Sequence, residues 1–137
     1  MFPILNEILK DIEAGNKELG IRAMFLYPMN ALVNDQVERF RKILSQYPDI
    51  TFGFFTGDTK EDLKPNALAQ YRLDNKLPSN ELVTRDEIRN NPPHLLFTNY
   101  SMLEHLMIRP NDYSIFTEQR LANWKFVVLD EENVYNG

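Results

Sequence analysis

The chain has 137 residues, which suits one compact domain and is too short for two. It carries 15 Lys and Arg against 20 Asp and Glu, a net charge of -5, which argues against a protein that coats nucleic acid through many phosphate-neutralising cations. The sequence has no Cys, so disulfide frameworks and thiolate metal sites are excluded.

Targeting signals are equally sparse. No apolar run approaches the roughly 20 residues that span a bilayer, and no basic start or small-residue cleavage site follows Met1. We therefore expect a cytoplasmic protein with no membrane partner.

The first part of the chain alternates between the patterns of helices and strands. Apolar residues recur at helical spacing from about residue 2 to 14, and again from 31 to 44. Between them, residues 22–27 form a short apolar run that Pro28 stops, which predicts a strand buried on both faces.

The middle of the chain is less regular. Residues 50–55 are rich in β-forming side chains and end in the turn-like segment 56–59. Residues 60–82 mix helical and turn signals, and we interpret them as an insertion or irregular segment. Thr84 and Glu87 fit a capping box that begins a short helix.

The last part predicts two more buried strands, at residues 95–100 and 126–129. Ser101 and Glu104 fit a second capping box, which predicts a helix from Ser101 through Met107. Apolar strands that alternate with amphipathic helices predict an α/β fold of three layers, in which helices cover both faces of a mostly parallel sheet.

The most apolar strand runs directly into Asp130 and Glu131. Ligands of parallel α/β sheets bind beyond the carboxyl ends of the strands, and two adjacent acids there form the Walker B arrangement. The Asp can hold the magnesium ion of a bound nucleotide, and the Glu can orient or deprotonate the attacking water. The alternative is that both are solvated acids after a core strand.

Three other strand ends carry polar segments. Residues 27–36 contain the end of a strand and the start of the helix that follows it, and the amino end of a helix favours phosphate. Residues 98–103 contain a second junction of this kind. Residues 56–59 form a polar turn. Each has a plain alternative, namely capping by Asn30, capping by Ser101 and an ordinary turn, but all would lie along one edge of the sheet.

These strings, in this order, resemble the motifs of superfamily 2 DEAD/DEAH-box helicases. Residues 27–36 are similar to motif Ia, 56–59 to motif Ib, 98–103 to a motif Ic and 129–133 to motif II. The similarity is greatest to a bacterial group whose motif Ia reads Tyr-Pro-Met-Asn-Ala-Leu. It implies an incomplete first RecA-like lobe that spans the whole chain, from just after motif I through motif II.

The resemblance also implies roles for individual residues. Glu131 and Asp130 would be catalytic, and Asp130 would also bind Mg through ATP. Asn133 would couple hydrolysis to strand movement. The polymer would be DNA or RNA. Its backbone would be contacted by ten residues, Met29, Asn30, Asn34, Gln36, Thr56, Gly57, Thr59, Thr98, Asn99 and Ser101.

The chain departs from the family pattern in two ways. No Gly-x-x-x-x-Gly-Lys-Ser/Thr string occurs in it, so the P-loop that holds the β- and γ-phosphates is missing. The resemblance implies that this segment and a second RecA-like lobe are needed as partners. The expected Asp-Glu-Ala-His reads Asp130-Glu131-Glu132-Asn133. We therefore expect no tight ATP binding and no hydrolysis by this chain alone.

Two alternatives differ in class from a working motor. One is a non-catalytic nucleic-acid-binding or scaffold remnant of a helicase, which the missing P-loop string and Glu132-Asn133 favour. The other is a phospho-receiver domain with Asp130 as acceptor, which the strings at 27–36 and 98–103 count against.

Overall fold

The computed structural model describes residues 2–15, 21–28, 30–108 and 126–129. Helices and strands alternate along the described chain. The helices are α1 Phe2–Glu13, α2 Asn30–Leu44, α3 Pro65–Asp74, α4 Arg85–Asn90 and α5 Tyr100–Ile108. The strands are β1 Ala23–Tyr27, β2 Phe52–Phe55, β3 Glu81–Leu82, β4 Leu95–Asn99 and β5 Phe126–Leu129.

The five strands form one sheet in the order β3-β2-β4-β1-β5, and every paired neighbour runs parallel. The central strand β4 and its neighbour β1 are buried along their whole length. This agrees with their near-continuous apolar sequences, because a parallel sheet is covered on both faces. The predicted α/β fold with a mostly parallel sheet is confirmed.

One face of the sheet is covered by α1 and α2. Alternate strand residues, among them Phe25, Phe54 and Phe97, join buried side chains from both helices in a single core. The Phe97 ring lies 4.7 Å from that of Phe25 and 5.0 Å from that of Phe54, and Phe40 of α2 covers it at 4.5 Å. Aromatic contacts of this kind fix how α2 sits on the sheet.

The other face is covered by α4 and α5. The intervening strand residues, such as Met24 and Leu96, pack with Ile88 of α4 and Leu106 of α5 in a second core. Gly53 of β2 allows the close approach of α4, because a Cβ there would lie 2.9 Å from Ile88 Cδ1. Two cores on opposite faces give the three predicted layers.

The segment 60–82, predicted as an insertion or irregular, contains α3 and leads into β3 at the edge of the sheet. α3 has no buried residue. Arg72 connects it to the rest of the segment, since its guanidinium donates to the backbone carbonyls of Pro78 and Glu81.

The two predicted capping boxes have different outcomes. The box of Thr84 and Glu87 is confirmed at the start of α4. The box of Ser101 and Glu104 is wrong, because α5 begins one residue earlier, at Tyr100. The cap is Asn99, whose Oδ1 accepts from the Met102 amide at 2.8 Å.

Candidate nucleic-acid interface

The carboxyl ends of the parallel strands bring the predicted motif segments to one edge of the sheet. Tyr27 pairs with Asn99, and Phe55 pairs with Thr98, in adjacent strands. The segments that follow β1, β2 and β4 therefore start side by side, as the sequence predicts. We call this the carboxyl edge.

The turn after β2 is held by its own two hydroxyl groups. Thr59 Oγ1 donates to the Phe54 carbonyl at 2.7 Å and accepts from the Thr56 amide at 2.9 Å. Thr56 Oγ1 accepts from the Asp58 amide at 3.2 Å. Both predicted contact hydroxyls are thus engaged within the turn, while Gly57 and Asp58 at its tip are exposed.

α2 is joined to this turn. Asn34 Nδ2 donates to Asp58 Oδ2 at 3.1 Å, and both side chains are exposed. Gln36 Oε1 accepts from Arg39 at 3.1 Å. Asn30 is the first residue of α2, and Met29 lies outside the described residues.

The segment after β4 divides into buried and exposed residues. Thr98 is fully buried, and its hydroxyl donates to the Phe55 carbonyl at 2.6 Å, which fastens β4 to β2. Asn99 is also buried, as the cap of α5. Ser101 is exposed, and 38% of Tyr100 is accessible, so neither side chain belongs to the core.

Arg85, at the start of α4, is a residue of this edge that the sequence did not reveal. Its Nη2 donates to the Thr56 carbonyl at 2.9 Å, and its guanidinium lies 5.2 Å from the centre of the Phe55 ring. The capping box at Thr84 locates the start of α4 in the sequence. Only the packing of α4 against β2 brings Arg85 to the turn.

The described residues contain neither a metal-binding cluster nor a membrane-spanning helix. Among them, no group of three or more His, Cys, Asp or Glu side chains could bind a metal ion. No helix within the described ranges is long and apolar enough to cross a membrane.

The sequence matches the family model of the DEAD/DEAH box helicases over residues 1–137. The chain belongs to this family. Members of the family work with ATP and Mg as full-length proteins and bind nucleic acid.

Three curated relatives agree with this assignment. Druantia protein DruE of Escherichia coli is 28% identical over 86% of this chain and 11% of its own length. ATP-dependent helicase hrq1 of Schizosaccharomyces pombe is 32% identical over 98% of this chain and 10% of its own. Uncharacterized ATP-dependent helicase MJ1574 of Methanocaldococcus jannaschii is 28% identical over 85% and 14%.

The matched region thus spans only 10% to 14% of the length of these relatives. No solved structure matches the chain. The four residues of the family's motif II, Asp130, Glu131, Glu132 and Asn133, follow β5 in the sequence and lie outside the described residues. Their predicted roles stay predictions.

Proposed function

We propose that this chain is the strand-contacting and Walker B part of an ATP-dependent helicase or translocase of superfamily 2. The observation that supports this most is the joining of three motif segments at the carboxyl edge. The Asn34–Asp58 bond links motif Ia to motif Ib, and the Thr98–Phe55 bond links motif Ic to the strand before motif Ib.

The hydrogen bonds divide the predicted contact residues into those that hold the edge in place and those that are exposed and would face the nucleic-acid strand. The hydroxyls of Thr56, Thr59 and Thr98 bind the protein's own backbone, so we propose that these residues shape the edge. Asn34 and Ser101, together with exposed Gly57, would then touch the strand. The remaining predicted contacts, Met29, Asn30, Gln36 and Asn99, belong to the same segments.

Neutral groups suit a chain with a net charge of -5. Amides, hydroxyls and helix amino ends contact phosphate and sugar without reading sequence, so the proposed grip is independent of base sequence. Binding should weaken with salt, but with a shallow slope, because few cations neutralise phosphates.

A binding assay tests this proposal directly. Affinities of the full chain for single-stranded DNA, single-stranded RNA and duplex DNA of equal length are measured by fluorescence anisotropy over a salt series. We expect single strands to bind with a slope corresponding to only a few phosphates. Failure of every polymer to bind at low salt would refute the strand-contacting function.

In the complete motor, we propose that Asp130 holds Mg²⁺ on the bound ATP and that Glu131 orients the attacking water. Bound Mg-ATP supplies the phosphoanhydride bond whose hydrolysis drives movement. Asn133 would pass that event to the strand. The P-loop string is not in this sequence, so we expect the purified chain to show no ATPase activity that E131Q removes. A Glu131-dependent rate would contradict this.

Glu132 and Asn133 support a second candidate, a non-catalytic nucleic-acid-binding or scaffold remnant. Glu132 adds a carboxylate beside the two acids where the family pattern has Ala, and Asn133 stands where it has His. The test is the double variant E132A/N133H in a chain completed with a P-loop segment and a second lobe. If the completed chain hydrolyses ATP in response to single strands while it still carries Glu132 and Asn133, the hypothesis of a non-catalytic remnant is wrong.

A further inference from the structure

A cavity of about 190 Å³ lies beside the carboxyl edge, between α2 and the chain that runs from β2 to β3. Its lining includes Asn34, Thr56, Asp58 and Thr59, which belong to the motif Ia and Ib segments. We call it the turn cavity. No role assigned above to a residue of the edge requires such a space.

Two aromatic side chains line the turn cavity, and each carries a cation near its ring. Lys60 Nζ lies 5.8 Å from the centre of the Tyr71 ring, and the Arg41 guanidinium lies 5.8 Å from that of Phe54. Phe54 is buried and Tyr71 is half-buried, so Tyr71 is the ring with accessible surface in the cavity. Aromatic rings stack on planar groups, and in proteins that bind single strands those groups are nucleobases.

The charged residues that line the cavity balance, with Arg41 and Lys60 against Glu81 and Asp58, which favours a neutral ligand. Glu81 contributes a buried carboxylate, which accepts two hydrogen bonds of 2.7 and 2.9 Å from the Arg41 guanidinium. The two side chains form an ion pair in which their charges neutralise each other. Asp58 contributes a second carboxylate, which accepts a hydrogen bond from the neutral amide of Asn34. A phosphate would meet Asp58 unfavourably, whereas an amino group could donate to it.

The volume agrees with a single base. The cavity volume corresponds to the volume that roughly six water molecules occupy in the liquid. It is smaller than the roughly 300 Å³ at which pockets for drug-sized ligands begin. Because Thr56, Asp58 and Thr59 line the cavity, a nucleic-acid strand bound along the turn 56–59 would lie beside it. A base need only leave its stack to enter.

We infer that the turn cavity receives one unstacked nucleobase of the bound strand, which stacks on Tyr71 and donates an amino hydrogen to Asp58. This rests on the proposed function, because the strand must first lie along the carboxyl edge. It adds a base-selective contact to an interface that otherwise contacts only the backbone.

The first test compares an intact single-stranded DNA with a series that carries one abasic residue at successive positions. The full chain should bind about tenfold less tightly when the missing base is the one that enters the cavity. Y71A should bind the intact strand as weakly as the wild type binds that abasic strand, and Y71F, which keeps the ring, should behave as wild type. L73A changes an exposed apolar residue of the same helix and is the matched control.

The second test replaces cytosine by uracil at the sensitive position, which changes an amino group into a carbonyl on the same ring. The wild type should prefer cytosine about fivefold, and D58N, whose amide both donates and accepts, should lose the preference. Asn at position 58 can still accept the bond from Asn34.

The outcomes separate the two proposals. If strands bind but no abasic position matters, or if Y71A keeps the full abasic effect, the turn cavity does not hold a base and the strand-contacting function stands. If no strand binds to the wild type at low salt, both proposals fall.

Discussion

The two edges of the sheet are both lined by polar residues that flank apolar strands, yet the partners of those residues differ. At the amino edge, where the strands begin, Asn80 is buried and its Nδ2 donates to the carbonyls of Leu44, Tyr47 and Ile50 at 2.8 to 3.1 Å. Thr51 and His94 exchange backbone-to-side-chain bonds of 3.0 and 3.1 Å. These side chains satisfy the protein's own backbone.

At the carboxyl edge, buried and exposed groups are combined. Thr98 and the two hydroxyls of the turn bind backbone, as at the amino edge. Beyond them, Asn34, Gly57 and Ser101 are exposed. A polar residue at a strand end is thus not a site by itself, because many such residues only bind the protein's own backbone. At the carboxyl edge, we call the backbone-bound residues the fixed layer, and we call Asn34, Gly57 and Ser101 the exposed layer.

The amino edge should be the more sensitive to substitution, and Asn80 its most sensitive residue. N80D removes a donor and places a carboxylate against three carbonyl oxygens, so the free energy of unfolding should fall by about 3–5 kcal/mol. Urea denaturation followed by circular dichroism measures this. N80A, which removes the donor without adding a charge, should lose less, about 1–3 kcal/mol.

N66D is the control, since Asn66 is exposed in the first turn of α3. It should change stability by less than about 0.5 kcal/mol. Equal effects of N80D and N66D would mean that the amino edge is not locked by Asn80.

The amino edge should also be sensitive to pH through His94. Burial, with a contribution from the charge of Arg22, lowers the pKa of His94 from 6.5 to about 4. The unfolded chain binds the proton first, so stability is complete above pH 6.5 and is lost as the pH falls toward 4. The loss should approach roughly 3 kcal/mol.

The His94 contribution is isolated by comparison with H94N, whose amide oxygen can accept the Thr51 bond without titrating. The difference in unfolding free energy between wild type and H94N should change between pH 6.5 and 4. H105N, at an exposed position of α5, should follow the wild type. Parallel pH curves for all three proteins would contradict the shift.

The fixed layer of the carboxyl edge should show an intermediate effect at Arg85. R85M loses the bond to the Thr56 carbonyl and the contact with the Phe55 ring, so the free energy of unfolding should fall by about 1–2 kcal/mol. Strand affinity should fall as well, because the turn 56–59 loses a support.

R39M is the control for Arg85, because Arg39 is exposed and its guanidinium donates to the side chain of Gln36 on the same helix. Its effect on stability should stay near zero. If R85M keeps both the stability and the strand affinity of the wild type, Arg85 does not position the turn 56–59.

The exposed layer should show the smallest effect on stability and a clear effect on binding. N34A removes a bond between two exposed side chains, so the free energy of unfolding should change by less than about 0.5 kcal/mol. Affinity for single strands should nevertheless drop several-fold, to a similar degree for different sequences. N90A, at the exposed end of α4, is the control for both measurements.

Much of the fold could be predicted because each element is marked locally. The apolar run before Pro28 identifies β1, and the period of 3.6 residues in 31–44 identifies α2. The second capping box failed for a physical reason. Asn99 and Ser101 are both good caps, and the choice between them depends on where β4 stops pairing with β1.

The site divides in the same way. The sequence, with its family resemblance, identified the segments 27–36, 56–59 and 98–103 and their common edge, because parallel strands all end on one side. It could not separate Thr98, which is fully buried, from Ser101, which is exposed. Thr98 lies at the end of a strand and Ser101 in the helix after it, and the burial of each depends on which other elements pack against it.

By itself, then, the sequence determined the alternation of strands and helices, the family and the edge of the sheet that carries its motifs, since these depend on local pattern and chain direction. Tertiary structure alone decided the order of the strands, the contact of Arg85 with the motif Ib turn, the Arg41–Glu81 pair and the turn cavity. The Arg85–Thr56 contact joins residues 29 positions apart and the Arg41–Glu81 pair joins residues 40 apart. The turn cavity likewise forms only where α2 meets the chain between β2 and β3, so each depends on how the layers pack.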